Sequence, residues 1–303
     1  MSKSLVALWL TAVLGLTASA ASLSEPQLLR VPYHSAAMNA ERDYFVYLPR
    51  GFAQREKWPV MLFLHGNGER GDGKADLDYV LMHGPLFEAW CQRRDLPFVI
   101  ISPQLPMYDQ GEVDYIKNRR RADIPQRKAD GINPYPWHPR SKEPMQGQLS
   151  EEVPAKLENY AESANSWNTV ADELMAMVDN VLAHYKGDAR RVTLTGLSEG
   201  GKGTWFLAAQ HPERFAAIAP VVGAGAPQLA PALAAARMPV WCFAGGRDAT
   251  DNRVKYFYPL LNELEKLGHT DVRFTIEADM GHDTWIRVYA GQDLYAWLLE
   301  HSK

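Results

Sequence analysis

Three side chains of this 303-residue chain have the type and setting for nucleophilic acyl chemistry. The string Val192-Thr193-Leu194-Thr195-Gly196-Leu197-Ser198-Glu199-Gly200-Gly201 carries an apolar strand into a turn of the form G-x-S-x-G and on toward a helix. A serine on so sharp a turn presents its hydroxyl above the sheet, and glycines two before and two after let strand and helix approach. The helix start adds free N–H groups and the positive end of its dipole where an oxyanion would develop. A serine alone is a weak nucleophile; it needs a base, and the base needs an acid to orient it. Asp248 follows the apolar run Pro239–Phe243, and His282 lies in Gly281-His282-Asp283-Thr284-Trp285, between a strand and the last helix. Both are expected on the rim that carries the serine turn. Asp251 is the fallback acid. Of the nine histidines, His282 alone follows a strand and comes after both partners in the chain.

The oxyanion needs donors, and losing one typically costs about 10²–10³ in rate. Glu199 offers one backbone N–H at the helix start. The second is expected from His65-Gly66-Asn67-Gly68, directly after the apolar run Trp58–Leu64, with Asn67 preferred over Gly68. Two rival readings of these glycines fall short. Gly196 to Lys202 fits G-x-x-x-x-G-K, but Gly203 stands where a P-loop needs Ser or Thr for Mg²⁺. Gly66 to Gly71 fits G-x-G-x-x-G, but the next strand ends at Ile101-Ser102 without the ribose-binding acid of a dinucleotide site.

Such a constellation needs a frame that gathers strand ends. The pattern predicts strands at Arg42–Leu48, Trp58–Leu64, Phe98–Ile101, Arg191–Thr195, Phe215–Val222, Pro239–Phe243 and Val272–Glu277. Helices are expected at Leu81–Arg94, Thr169–Tyr185 with Gly187 as its stop, after the serine turn through Ala209, Asp251–Leu267 and Thr284–His301. Alternating strands and helices predict an α/β fold with a largely parallel sheet. The rhythm breaks between about residues 105 and 163, a polar, turn-rich stretch read as a lid-like insertion over the sheet. Its bases Lys117, Arg119, Arg120, Arg121, Arg127 and Lys128 read either as a patch for an anion or as a solvated face.

Apolar residues make up 46% and charged residues 22% of the chain, which excludes whole-chain disorder and coiled coil. A formal charge of −4 disfavours a dedicated nucleic-acid binder. Residues 1–20 have one early base, Lys3, an apolar run from Leu5 to Leu16 and small residues before Ala20. That is the pattern of an export signal, short of the roughly 20 residues that a membrane span needs. Residues 21–303 are then expected to be one catalytic domain, exported to the periplasm or outside the cell and not held at a membrane. Export would allow a Cys91–Cys242 disulfide, but the two cysteines are read as buried free thiols.

Taken in order, several strings resemble one family. They are Leu64-His65-Gly66-Asn67-Gly68-Glu69-Arg70-Gly71, Ile101-Ser102-Pro103-Gln104, the Gly196–Gly201 turn, Pro212-Glu213-Arg214-Phe215-Ala216-Ala217-Ile218-Ala219-Pro220 and Gly281-His282-Asp283-Thr284-Trp285. The set resembles the secreted α/β-hydrolase esterases related to polyhydroxybutyrate depolymerases, feruloyl esterases and dienelactone hydrolases. The resemblance implies an α/β-hydrolase fold, with helices on both faces of the sheet and the insertion after Phe98–Ile101. It also implies a Ser198–Asp248–His282 triad acting on a small-molecule or polymeric ester, with no cofactor and no metal. Trp285, Trp137 and Trp167 are the aromatic candidates for contacting that substrate. Two departures stand out: Glu199 where the family has a small residue or Met, and Ala244-Gly245 where it has His-Gly. The Glu199 carboxylate either faces the substrate or turns away to pair with Lys202 or a base of the insertion. A serine peptidase on the same scaffold, or a non-catalytic binding protein with this fold, are the alternatives.

Overall fold

The computed structural model of the chain describes residues 25–130, 165–250 and 253–303. The export-signal reading of residues 1–20, Trp137 and Asp251 lie outside the described residues.

Eight strands form one sheet: β1 (Gln27–Ser35), β2 (Ala40–Leu48), β3 (Trp58–Leu64), β4 (Val99–Ser102), β5 (Gly187–Leu197), β6 (Ala217–Val221), β7 (Val240–Gly245) and β8 (Val272–Glu277). Their spatial order is β1-β2-β4-β3-β5-β6-β7-β8. The pairs β1·β2 and β2·β4 are antiparallel, and every later pair is parallel. The sheet is therefore mostly parallel, as the strand–helix alternation implies.

Strand β3 explains the layering. All seven of its residues are buried, as expected of a strand covered on both faces. Trp58, Val60, Leu62 and Leu64 pack with Leu174, Val178 and Val181 of helix Ala171–His184 and with Trp205 of helix Glu199–Gln210. Met61 and Phe63 point the other way, into a cluster with Tyr289, Tyr295 and Trp297 from the C-terminal helices. The two apolar faces of one strand thus recruit helices to both sides of the sheet.

Several elements depart from the sequence reading, each for a local reason. Strand β1 was not anticipated; its Pro32 argues against a central strand, and an edge strand paired only to β2 tolerates it. The expected helix Leu81–Arg94 is instead a 3₁₀ turn, Leu77–Leu81, and a π-type turn, Phe87–Cys91. They are separated by Gly84 at φ +87°, where a Cβ would lie 2.1 Å from the Phe63 ring. The helix expected over Asp251–Leu267 is two pieces, Arg253–Tyr256 and Tyr258–Lys266, the second carrying Pro259 in its first turn. The last helix divides at Gly291 into Trp285–Ala290 and Asp293–Glu300. Gly187 is not the helix stop: Lys186 takes the left-handed turn at φ +54°, and Gly187 opens β5 in close contact with Val60 and Leu182.

Because β3, β5, β7 and β8 run parallel, their C-terminal ends share one rim. His65, Ser198, Asp248 and His282 each follow one of these ends.

Cys91 and Cys242 are buried free thiols in clusters on opposite faces of the sheet, which separates them as a pair. Burial pushes the Cys91 thiol up to about 12 and raises Cys242 as well. Dithionitrobenzoate is expected to titrate neither thiol in native protein and both in denaturant. Rapid reaction of a native thiol would contradict this packing.

Candidate active site

Ser198 sits between β5 and helix Glu199–Gln210 at φ 52° and ψ −114°, a conformation that costs a non-glycine residue on the order of 1–3 kcal/mol. Its surroundings hold it there. Its N–H donates to Val221 O at 2.9 Å, and its carbonyl accepts from Lys202 N–H at 3.1 Å. The flanking glycines are steric requirements: a Cβ on Gly200 would lie 1.9 Å from the Leu64 carbonyl oxygen, and one on Gly196 would lie 2.3 Å from Gly200 O. Helix and strand can cross this closely only without side chains there.

The Ser198 hydroxyl donates to His282 Nε2 at 2.8 Å, and His282 Nδ1–H donates to Asp248 Oδ2 at 2.7 Å. The tautomer follows from the partner, since a carboxylate accepts only. Asp248 is 1% exposed, and its Oδ1 accepts the Thr250 N–H at 2.8 Å. The loops carrying acid and base are tied to each other: Gly246 N–H reaches Glu277 O and Arg247 N–H reaches Met280 O. Gly245 approaches so closely that a Cβ would lie 2.1 Å from Gly281 O, so glycine in Ala244-Gly245 meets a local need.

The loop after β3 is locked by His65. Its Nε2 accepts the Leu105 N–H at 2.9 Å, so its Nδ1–H is left to donate to Gly66 O at 2.6 Å. Burial, with the nearby cations of Arg70, Arg119 and Arg42, pushes this imidazole down to about 3, so it is neutral. Trp167 packs edge-on against the ring and donates its indole N–H to His65 O at 3.3 Å. This corrects the expectation that Trp167 contacts substrate. It is 1% exposed and acts as a floor for the loop, close enough to Gly203 that a Cβ there would clash with it.

Arg70 links the two expected oxyanion donors. Its Nε donates to Asn67 Oδ1 at 2.5 Å, and its other nitrogens donate to Pro106 O and Asn165 O. One of them lies 3.8 Å from Glu199 Oε1. The Glu199 carboxylate also accepts from Ser166 Oγ and from Lys202 Nζ at 3.3 Å. The carboxylate beside the nucleophile is thus held by two cations, one of them the expected Lys202.

The basic stretch divides in the same way. Arg119 donates to Gly68 O and Arg70 O, pairs with Asp76 at 3.1 Å and lies over the Tyr79 ring. Arg121 reaches Ala75 O, and Arg127 stacks on Trp90. Arg120 pairs with Asp123 and Lys117 with Glu112, both out in solvent. These bases are engaged with the protein itself, Arg119 most directly with the loop after β3.

Ser198, His282, Glu199, Asn67, Gly68 and Trp285 all line one cavity of about 950 Å³, whose walls also include Gln110, Tyr115, Asn118, Arg119 and Arg120. Trp285 stands edge-on to the His282 ring at 5.4 Å and tilted against His83 at 5.6 Å. Sequence reasoning missed Glu69, Arg70 and His83 as parts of this site. The first two were visible only as members of the Gly66–Gly71 string, where the glycines drew the attention.

No family model matches the chain, and no curated protein matches it by sequence. Solved structures match it by shape. A thermostable esterase superposes with a TM-score of 0.59 at 21% identity over 91% of this chain, which spans 63% of that protein, under two thirds. An S-formylglutathione hydrolase from Agrobacterium tumefaciens superposes with a TM-score of 0.53 at 19% identity, covering 92% of this chain and 97% of that one. A ferulic acid esterase from Anaeromyces mucronatus gives a TM-score of 0.50 at 15% identity, covering 90% and 89%. These likenesses show that the chain has the α/β-hydrolase fold.

Glu69 is the unusual group in the cavity wall. It is 4% exposed, and its Oε1 has no partner among the described residues. Burial pushes its carboxyl up to about 7, against the opposing pull of the Arg119 cation and of the Glu69 and Gly66 N–H groups. A raised folded-state value means that the unfolded chain ionises first. Glu69 therefore costs stability increasingly from about pH 4.5 to about 7, with no further change above that. At ~1.4 kcal/mol per pK unit, the full cost is roughly 3–4 kcal/mol. Thermal unfolding of Glu69→Gln against wild type is expected to show a stabilisation that grows across this window and then levels off. A pH-independent difference would refute the assignment.

Proposed function

We propose that the chain is a serine hydrolase that cleaves carboxylic esters through an acyl-enzyme on Ser198. The observation that carries this reading is the continuous Ser198–His282–Asp248 chain, at 2.8 and 2.7 Å, opening into the 950 Å³ cavity. His282 takes the Ser198 proton as the oxygen attacks the ester carbonyl. Backbone N–H groups of Glu199 and Asn67 receive the oxyanion, helped by the helix start under Ser198. Asp248 holds the imidazole in its reactive tautomer and stabilises its cation. His282 then protonates the leaving alkoxide, and water repeats the sequence on the acyl-enzyme. The esterases among the solved structures of similar shape support a carboxylic ester as the substrate. The pattern of residues 1–20 adds export to the proposal.

A fluorophosphonate probe is expected to label the protein once, and Ser198→Ala to abolish both labelling and hydrolysis of short acyl esters. Intact protein that fails to label would sink the nucleophile assignment. Turnover of peptide amides with none on esters would replace the ester reading by a peptidase one.

Arg70→Lys keeps the charge but loses the fork that fixes Asn67 beside Glu199. Misplacing a donor by about 1 Å can cost on the order of 10²-fold. A fall in kcat of about 10–10²-fold with little change in KM is expected from steady-state kinetics. A change confined to KM would instead give Arg70 a role in substrate binding.

A further inference from the structure

A second cavity of about 240 Å³ adjoins the first, and Met82, His83 and Trp285 belong to the walls of both. Its remaining lining includes Phe87, Ile286 and Tyr289, together with Gln92 and the ion-paired Glu88 and Arg94. We propose that Trp285, flanked by His83 and Met82, is a partition that limits the alcohol group of the substrate ester, excluding apolar alcohols from the smaller cavity. This rests on the ester hydrolysis proposed above.

The side of the site follows from proton transfer. The departing alkoxide must reach His282 Nε2 to be protonated, so the alcohol lies on the His282 side of the reacting carbonyl. The Trp285 indole stands 5.4 Å from that imidazole, directly in this region. The wall is uncharged: burial pushes the His83 imidazole down to about 4, leaving it neutral at ordinary pH. The smaller cavity beyond it suits an apolar occupant. The main cavity carries more polar surface, with Gln110, Asn118 and Arg119 in its lining, whereas the charges of the smaller one, Glu88 and Arg94, are paired with each other.

Trp285 is also held differently from other tryptophans. Trp58, Trp167, Trp205 and Trp241 each donate the indole N–H to Phe52 O, His65 O, Gly223 O and Thr275 Oγ1. The Trp285 Nε1 is buried and has no hydrogen-bond partner among the described residues. Its ring is held by packing between two cavities, as a divider is, and not by a bond that anchors it to the fold.

Acetate esters of ethanol, butanol, hexanol and benzyl alcohol provide the test. All pass through the same acetyl-enzyme, so differences in kcat/KM among them report on the alcohol alone. Wild type is expected to favour the smaller alcohols. Trp285→Ala is expected to raise the hexyl-to-ethyl ratio by at least about tenfold, because it opens an apolar space to the added methylenes. Refilling that space in Trp285→Ala/Ile286→Trp should return the ratio toward wild type. Met82→Ala opens the same partition from its other wall and replaces the first variant if that one does not fold. An unchanged ratio in a variant that still labels with fluorophosphonate overturns the partition alone. Wild-type protein that neither labels nor hydrolyses any of the acetates overturns the ester reading, and this proposal with it.

Discussion

The site depends on one close approach, where the helix after Ser198 crosses the end of β3. Gly200 lies against the Leu64 and His65 carbonyls, with no room for a side chain. That contact sets how near the serine turn stands to the loop that begins at His65. It therefore sets how near the Glu199 and Asn67 N–H groups stand to each other. The strained Ser198 backbone is held by the same crossing, through hydrogen bonds to β6 on one side and into its own helix on the other. A preorganised pair of donors is worth most when it does not have to rearrange as charge develops, and a rigid backbone crossing provides that rigidity.

A second layer of order comes from arginines. Arg70 joins the Asn67 side chain to the Glu199 carboxylate, and Arg119 grips the carbonyls of Gly68 and Arg70. A glycine-rich loop pays the largest conformational entropy on folding, and its carbonyls need partners when buried. The guanidinium forks meet both needs. They also place positive charge around the site without a ligand to hold it there.

Much of this was legible from residue types. The serine turn, the strand-end acid and the strand-end histidine each carried a local signature, and the structure brings all three into hydrogen-bond contact. Strand positions followed from apolar runs such as Trp58–Leu64. Helix continuity did not, because Gly84, Pro259 and Gly291 interrupt segments whose apolar spacing reads straight through them. Strand β1 was hidden by Pro32 and by the weak alternation of an edge strand. The partners of the basic stretch were illegible for another reason. A run of arginines states its charge but not its acceptors, and the acceptors here are backbone carbonyls about fifty residues earlier in the chain. Trp167 was misread because an aromatic beside a site looks the same in sequence whether it touches the ligand or the loop behind it.

The buried acids and imidazoles around the cavities have a joint effect on proton exchange during unfolding. Burial pushes His65 and His83 down to about 3 and 4 and Glu69 and Glu88 up to about 7, Glu88 against the pull of its ion-pair partner Arg94. Between about pH 4.5 and 6.5, unfolding lets each imidazole bind a proton and each carboxyl release one. The uptakes oppose the releases, so the two kinds of group offset each other in that window. Imidazoles alone would make the fold weaken as pH falls there, and carboxyls alone as it rises. Carrying both lets these groups stay buried without making the stability of the molecule steep in pH across that window.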